Sequence, residues 1–435
     1  MVYWVPFLHF YQPSIQFHSV LKKIFNESYR PLLRVYSQRP QAKVTINVSG
    51  TLTDLLDEHG GSDIIESMTK LAKNNQIEFV ESAKYHAILP LISLKEAKRQ
   101  LKLNHKTNEN FFGHSYRPKG VFPPEMCYSA KVARILASAG YNWALVSGIA
   151  NQDTWPMDFI SRVKFGGSSI NILYRDDIIS NKISFRSLDS IGFINELYEL
   201  TKDKKNAYVI TAMDAETFGH HIKGWEEKFL ARTYDIIKGM QEIRDKYGRS
   251  RPEKVATACR KEFKGLKNFF DIKVATISEL LKKFPIKDSK PPRPSSWSTT
   301  AEDIDRKKFY PLWLDEDNVC HRLQWEHLKE ACRFVYAAEK IKGSNKQSKR
   351  FTVIARISLD KALFSCQFWW ANKNSGRWDI NLINKGLILQ EEAMLNSLMA
   401  INSSFADENI KKGFQEKIIA CRRIAANLRD AMVAT

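Results

Sequence analysis

Short, nearly uninterrupted apolar runs recur along the first two thirds of the chain, most of them followed by a stretch with helical spacing. The runs are VYWVPFLHF (2–10), KVTINVS (43–49), IEFVES (77–82), KGVFPPE (119–125), WALVSG (143–148), AYVITAMDAE (207–216) and KVATISELL (273–281). A run that is apolar on both faces reads as a strand of a parallel sheet covered by helices. Amphipathic pieces such as DIIESMTKLAKN and SAKVARILASAG supply the helices. In a chain of 435 residues this alternation predicts an α/β fold with a closed βα barrel. Seven strands are legible rather than eight, and SSINILYRDD (168–177) reads as a strand or hairpin in an inserted loop.

Near residue 286 the texture changes. PIKDSKPPRPSSWS has the Pro and Ser content of a linker or of a loop laid over a barrel. Beyond it, 324–342, 390–405 and 414–434 carry apolar residues at helical spacing. The expected organisation is an incomplete seven-stranded (β/α)7 barrel over 1–285, then a linker and a C-terminal helical domain over 286–435 packed against the barrel.

Composition adds bounds. A 43% hydrophobic and 11% aromatic content suits a large packed core and excludes disorder on a large scale. The net charge of +19 suits a solvated basic surface or a polyanion partner; Lys and Arg are dispersed among acids, which favours the surface and makes nucleic acid the less favoured partner. Six cysteines (127, 259, 320, 332, 366, 421) without a CxxC pair read as reduced thiols. No basic, cleavable leader and no apolar run of about 20 residues is present, so a cytoplasmic chain without a membrane partner is expected.

In parallel barrels the chemistry sits at the carboxyl ends of strands. The polar residues expected there are His9 and Gln12 in HFYQP, Glu78 and Glu81 with His86 beyond them, Glu125, and Asp214 with Glu216 in MDAETFGHH. Carboxyls with opposed pKa values, beside His, Gln, Trp and Tyr, fit a sugar-like substrate: one attacks the anomeric carbon and one works as acid and base. Singly, each has a plainer reading. His9 suits a satisfied core histidine, Glu125 a helix cap, and Asp214 and Glu216 a salt bridge or a metal. The adjacent histidines of GHH point in different directions and lack an HxxxH or HxH spacing, so neither a metal nor another cofactor is expected.

The motifs resemble those of glycoside hydrolase family 57. HFYQP (9–13), NQIEFVESAKYHAILP (75–90), GVFPPEMCYS (120–129) and MDAETFGHH (213–221) are similar to the first four of that family's five signatures, with the fifth expected around VATISELL or SSWSTTAEDI. The resemblance implies an incomplete barrel followed by a helical region, and a retaining mechanism without a metal. It implies a substrate among α-linked glucans (starch, glycogen, maltooligosaccharides), as for α-amylases and 4-α-glucanotransferases, or alternatively α-galactosides. Glu125 inherits the nucleophile's role and Asp214 that of acid/base. His9, Gln12, Glu78, His86 and Glu216 would hold sugar hydroxyls, and Trp297 and Trp313 are candidates for stacking on sugar rings. Phe122 and Pro123 stand where many members of the family carry a tryptophan.

Overall fold

The computed structural model describes residues 1–248, 251–341 and 344–434. Residue 342, the last of the helix expected over 324–342, and residue 435 lie outside the described residues. The chain divides into two compact units. The first comprises Met1–Gln12, Gln16–Lys84 and Leu101–Trp297; the second comprises Pro13–Ile15, Tyr85–Gln100 and the chain from Ser298 onward.

The first unit holds two sheets. In one, β1 (Val2–Phe10), β2 (Val44–Val48), β3 (Ile77–Val80) and β8 (Ala207–Asp214) run parallel in the order β3-β2-β1-β8, and the short β9 (Ile272–Val274) joins the start of β1. In the other, β4 (Gly120–Val121), β5 (Trp143–Ser147) and β7 (Ser168–Arg175) run parallel, with β6 (Ile160–Phe165) antiparallel to β7 and β10 (Ile286–Asp288) beyond it. A single parallel bridge between Glu81 and Val121 joins the edges β3 and β4. Just past β7, an inner strand of its sheet, the Asp176 amide donates to Ile210 O of β8, the edge of the first sheet, at 2.8 Å.

Alternation along β1 sorts its side chains. Trp4, Leu8 and Phe10 pack with Leu32, Tyr36, Phe193 and Phe229 in the cluster shared with the helices. Val5 and Phe7 pack with Val80, Phe122, Leu145, Leu173 and Ile210, residues of the other strands and of the turn after β4. The continuous apolar runs follow from this demand on both faces.

Two expectations about elements change. SSINILYR is a strand and makes a hairpin with β6, as expected, but it is no excursion in a loop: β7 also pairs with β5 along five residues from Trp143↔Asn171 to Ser147↔Arg175. KVATISELL is no continuous strand; Thr276 and Glu279 form a capping box that starts the helix Ile277–Leu280. The Pro-rich stretch belongs to the first unit as far as Trp297, so the division between the units falls after that residue rather than at 285. Its alternate residues bond to neighbours, Arg293 N to Ala150 O, Ser295 N to Tyr128 O and Trp297 N to Glu125 O, at 2.9, 3.3 and 3.0 Å. The amide-less Pro294 falls between the first two, and Pro292 just before them, at positions where no donor is required.

In the second unit the helices Val319–Lys340, Lys346–Ala362, Ile380–Asn402 and Glu408–Ala434 pack together. Of these, Lys346–Ala362 was not expected, because its first half is polar. Arg356 is buried there and donates to both oxygens of Glu96, at 2.9 and 2.8 Å, and to Glu339 at 2.7 Å, while Arg99 grips Asp360 at 2.7 and 2.6 Å. This network ties the early segment Tyr85–Gln100 to helices that come some 260 residues later. Among the described residues no helix is long and apolar enough to cross a membrane.

Candidate active site

The carboxyl ends of the first unit's strands gather its polar residues. Register sets His9 beside Asn47 on β2 and Asp214 on β8. The His9 ring lies 4.8 Å from Phe122 and 5.9 Å from Trp297, centroid to centroid. Its Nδ1 lies 2.7 Å from Asn47 Oδ1. Burial outweighs that bond and pulls the pKa down to about 4, so the ring is neutral, donates from Nδ1 and keeps Nε2 as an acceptor.

Glu125 comes after a strand of only two residues. Pro123, at φ −61°, ends the ladder, and Pro124–Met126 makes one 3-10 turn. Within it Glu125 takes φ 58°, ψ 19° and Met126 takes φ 52°. Left-handed backbone costs a non-glycine residue about 1–3 kcal/mol and persists only where the surroundings enforce it. Here the enforcing bonds are Met126 N to Pro123 O at 2.8 Å, Cys127 N to Pro124 O at 3.0 Å and Trp297 N to Glu125 O at 3.0 Å. The Trp297 indole Nε1 also donates to Glu125 Oε2 at 2.7 Å. Loss of water around the carboxyl, and then the charge of Asp214, push Glu125 up to about 8 against that bond.

Asp214 ends β8. Burial raises its pKa to about 6, and the Arg175 guanidinium opposes the rise. Arg175 ends β7 and is pinned by Ala212 O at 2.8 Å, Asp177 Oδ1 at 2.7 Å and Asn181 Oδ1 at 2.8 Å. Two residues past Asp214, Glu216 receives the amide of Gln12 at 2.9 Å and the hydroxyl of Tyr29. Burial and the Asp214 charge push it up to about 8. Three carboxyls and one guanidinium thus share a site whose charges feel one another, which is the setting that splits acid from base.

The structure brings together His9, Gln12, Glu125, Asp214, Glu216 and Trp297. Trp297 grips a carboxylate by its indole edge rather than offering itself only as a stacking face. Glu78 is corrected. It lies near the start of β3, in register with Thr45 and Phe7, two residues before the row of Val80, Asn47, His9 and Asp214. There its carboxylate accepts from Ser278 N at 3.0 Å, Thr45 Oγ1 at 3.2 Å and the Ser278 hydroxyl, serving a helix start rather than a sugar. His86 and Trp313 belong to the second unit. His86, at φ 57°, has Nδ1 2.7 Å from Ser365 Oγ. Trp313 is wholly buried, so its ring presents no open face for stacking.

Arg175, Asn47 and Tyr29 escaped the sequence reading. The strand-tip rule picks out Asn47 in KVTINVS, and Arg175 once 168–175 is taken as a parallel strand. Tyr29 sits within FNESY, which carries no signal of its own. Among the described residues no group of three or more His, Cys, Asp or Glu is arranged to hold a metal ion.

The sequence pattern of glycosyl hydrolase family 57 matches residues 4–244, more than half the chain. An α-amylase from Pyrococcus abyssi is 25% identical over 241 residues, covering 52% of this chain and 35% of that protein. A 4-α-glucanotransferase from Thermococcus litoralis is 25% identical over 252 residues, covering 54% and 36%. The chain thus spans about a third of the length of these curated relatives. Among solved structures, a GH57-type branching enzyme from Pyrococcus horikoshii superposes with a TM-score of 0.67 at 15% identity over 95% of this chain and 94% of that one. The mixed α/β architecture with its large helical C-terminal part is the fold of that enzyme, and the matched pattern settles the kinship: the chain belongs to glycosyl hydrolase family 57.

Proposed function

We propose that the protein cleaves α-linked glucan with retention of configuration, through a covalent intermediate on Glu125, and passes the sugar to water or to another sugar. The observation that carries this reading is Glu125 itself, a carboxylate on strained backbone, held by Trp297 through side chain and main chain and facing the charge of Asp214. The α-amylase and glucanotransferase names of the relatives support the substrate class.

In the first step Asp214 gives its proton to the glycosidic oxygen as the C–O bond breaks, and a Glu125 oxygen bonds to the anomeric carbon. In the second, Asp214 takes a proton from water or a sugar hydroxyl, the oxygen so freed attacks the anomeric carbon, and Glu125 leaves as carboxylate. The pair titrates as a unit. Burial and the charge of Asp214 both disfavour the Glu125 anion, so the reactive arrangement, charge on Glu125 and proton on Asp214, needs support. The Trp297 N–H raises its share by stabilising the Glu125 anion. Retention calls for carboxyls about 5–5.5 Å apart. His9, Gln12 and Glu216 would meet sugar hydroxyls.

The architecture belongs to the same reading: an incomplete (β/α)7 barrel of β1–β5, β7 and β8. The Glu81–Val121 bridge and the Asp176–Ile210 bond at the two seams support it. The catalytic part would occupy 1–285 with its extension to Trp297, leaving the helical domain after it. Cysteines that are all free thiols support a cytoplasmic setting.

The test is product analysis after incubation with maltooligosaccharides, glycogen and α-galactosides, with the first-formed anomer read by NMR. The α-anomer from α-glucan is expected. In Glu125→Ala, azide should restore turnover as a β-glycosyl azide. A β-anomer from the unmodified enzyme, or cleavage of none of the glucans, overturns the proposal.

A further inference from the structure

We propose that Tyr29 is a positioning residue for this reaction: a π-turn delivers its hydroxyl to Glu216 and so fixes that carboxyl beside Asp214. The inference rests on the reading of Asp214 as acid/base.

The helix His18–Ile24 runs into a π-helical turn, Phe25–Tyr29, before continuing as Arg30–Ser37. Such turns insert a residue, re-aim the side chains beyond them, and recur at functional sites. Here three consecutive residues all bond to the loop after β8. Glu27 Oε2 lies 2.7 Å from His220 Nδ1, Ser28 Oγ donates to Ala215 O at 2.9 Å, and Tyr29 donates to Glu216 Oε1. Backbone meets backbone as well. A Cβ on Gly219, which sits at φ 106°, would lie 1.8 Å from Glu27 O, so only glycine admits the approach. The Tyr29 ring is wholly buried, 5.1 Å from Phe10 and 5.9 Å from Phe25. Gln12 supplies a second donor to the same Glu216 oxygen at 2.9 Å, and Gln16 steadies Gln12 at 3.1 Å.

Both donors stabilise the ionised form of Glu216, against burial and the charge of Asp214. A negative Glu216 in turn favours the protonated form of Asp214, the form that a general acid needs. Without the Tyr29 hydroxyl, Glu216 keeps a proton to higher pH and Asp214 gives its own up at lower pH. The loss then falls on substrates whose leaving group must be protonated.

The experiment compares wild type with Tyr29→Phe, which keeps the ring, on a maltooligosaccharide and on α-maltosyl fluoride, whose fluoride leaves with little help from an acid. The expected result is a fall of about tenfold or more in kcat/KM on the oligosaccharide and less than about threefold on the fluoride. The alkaline limb of the pH profile should also move to lower pH. Equal losses on both substrates mean a merely structural role, and no loss on either means no role; both overturn the proposal. Should Tyr29→Phe fail to fold, Gln12→Leu removes the other donor to the same oxygen and is read by the alkaline limb alone: a move to lower pH supports the proposal and an unmoved limb overturns it, since a lost sugar contact lowers the rates without moving it. If wild type turns over neither substrate, the functional reading has failed separately. Tyr29 is then judged by a cycle with Glu216→Gln in urea unfolding. Coupling between the two sites in the unfolding midpoint at about pH 9 that shrinks at about pH 5 supports it, and no coupling at either pH overturns it.

Discussion

Replacing Glu125 by Gln should stabilise the folded protein while abolishing its reaction, and the gain should depend on pH. The Glu125 carboxyl rises from an ordinary 4.5 to about 8 because ionising it means placing charge where water is scarce, next to Asp214. The folded state therefore binds this proton more tightly than the unfolded chain. Stability attributable to the group falls as pH rises from the unfolded value toward the folded one, and is level above it. At about 1.36 kcal/mol per pKa unit, the full difference sets a ceiling of about 5 kcal/mol. The side chain keeps part of its surface open, and the cost is shared with Asp214, which reduces the expectation to roughly 2–3 kcal/mol. Gln retains an oxygen for the Trp297 N–H and the same backbone demand, so the substitution isolates the charge. The assay is urea unfolding of both proteins at about pH 5 and about pH 8.5. Near-coincident midpoints at the lower pH and a more stable variant at the higher are expected. A difference that is the same at both pH values, or a less stable variant at the higher, would refute the argument that this carboxyl is strained by its charge.

Trp297→Phe removes the donor to Glu125 Oε2, and a bond to a charged acceptor is worth about 1.5–3 kcal/mol. Its kcat/KM near neutrality should fall roughly 10- to 100-fold, with the acid limb of the pH profile moved up by about 1–2 units; a loss uniform across pH would contradict this. His105 is held above the usual histidine range chiefly by its bond to buried Glu81, so the interaction is fully present below the ordinary pKa and is lost as pH rises through the folded one. His105→Ala should be destabilised, by less than about 1 kcal/mol given the exposure of the ring, at pH 5.5 and not at pH 9, as thermal melts will show. Arg356→Met strands the buried Glu96, and chemical denaturation should report a loss of about 3–5 kcal/mol.

Much of the first unit could be read from the chain. Runs apolar on both faces have few alternatives to a parallel strand, and β1, β2, β3, β5 and β8 begin within a residue of where those runs begin. The turn at PPEM was legible for the same reason, since proline fixes its own backbone. The left-handed Glu125 was not: two prolines say where a ladder stops, while the bond from Trp297, 172 residues away, sets the backbone just past them. Glu78 was misplaced because a four-residue strand gives no clue to its own depth; Ser278, 200 residues on, decides which end of the sheet it serves. Tyr29 and Arg356 were invisible for a related reason. A tyrosine on a turn or an arginine on a helix becomes specific only when the chain returns to it.

The segment Tyr85–Gln100 also dictates an order of folding. Its partners Arg356 and Asp360 emerge from the ribosome long after it does, so until then the Glu96 carboxylate and the Arg99 guanidinium go without them. Closing a loop of about 260 residues costs roughly 3 kcal/mol more in chain entropy than closing one of about ten, and the cost precedes any contact that repays it. The chain crosses between the two units five times, after residues 12, 15, 84, 100 and 297. A chain laid out in that way has all of its first unit by residue 297, while the second stays open until the C-terminal helices are made. The second unit waits for the C-terminal helices with an early piece of its core already made, and slow, late maturation of that unit is built into the route of the chain.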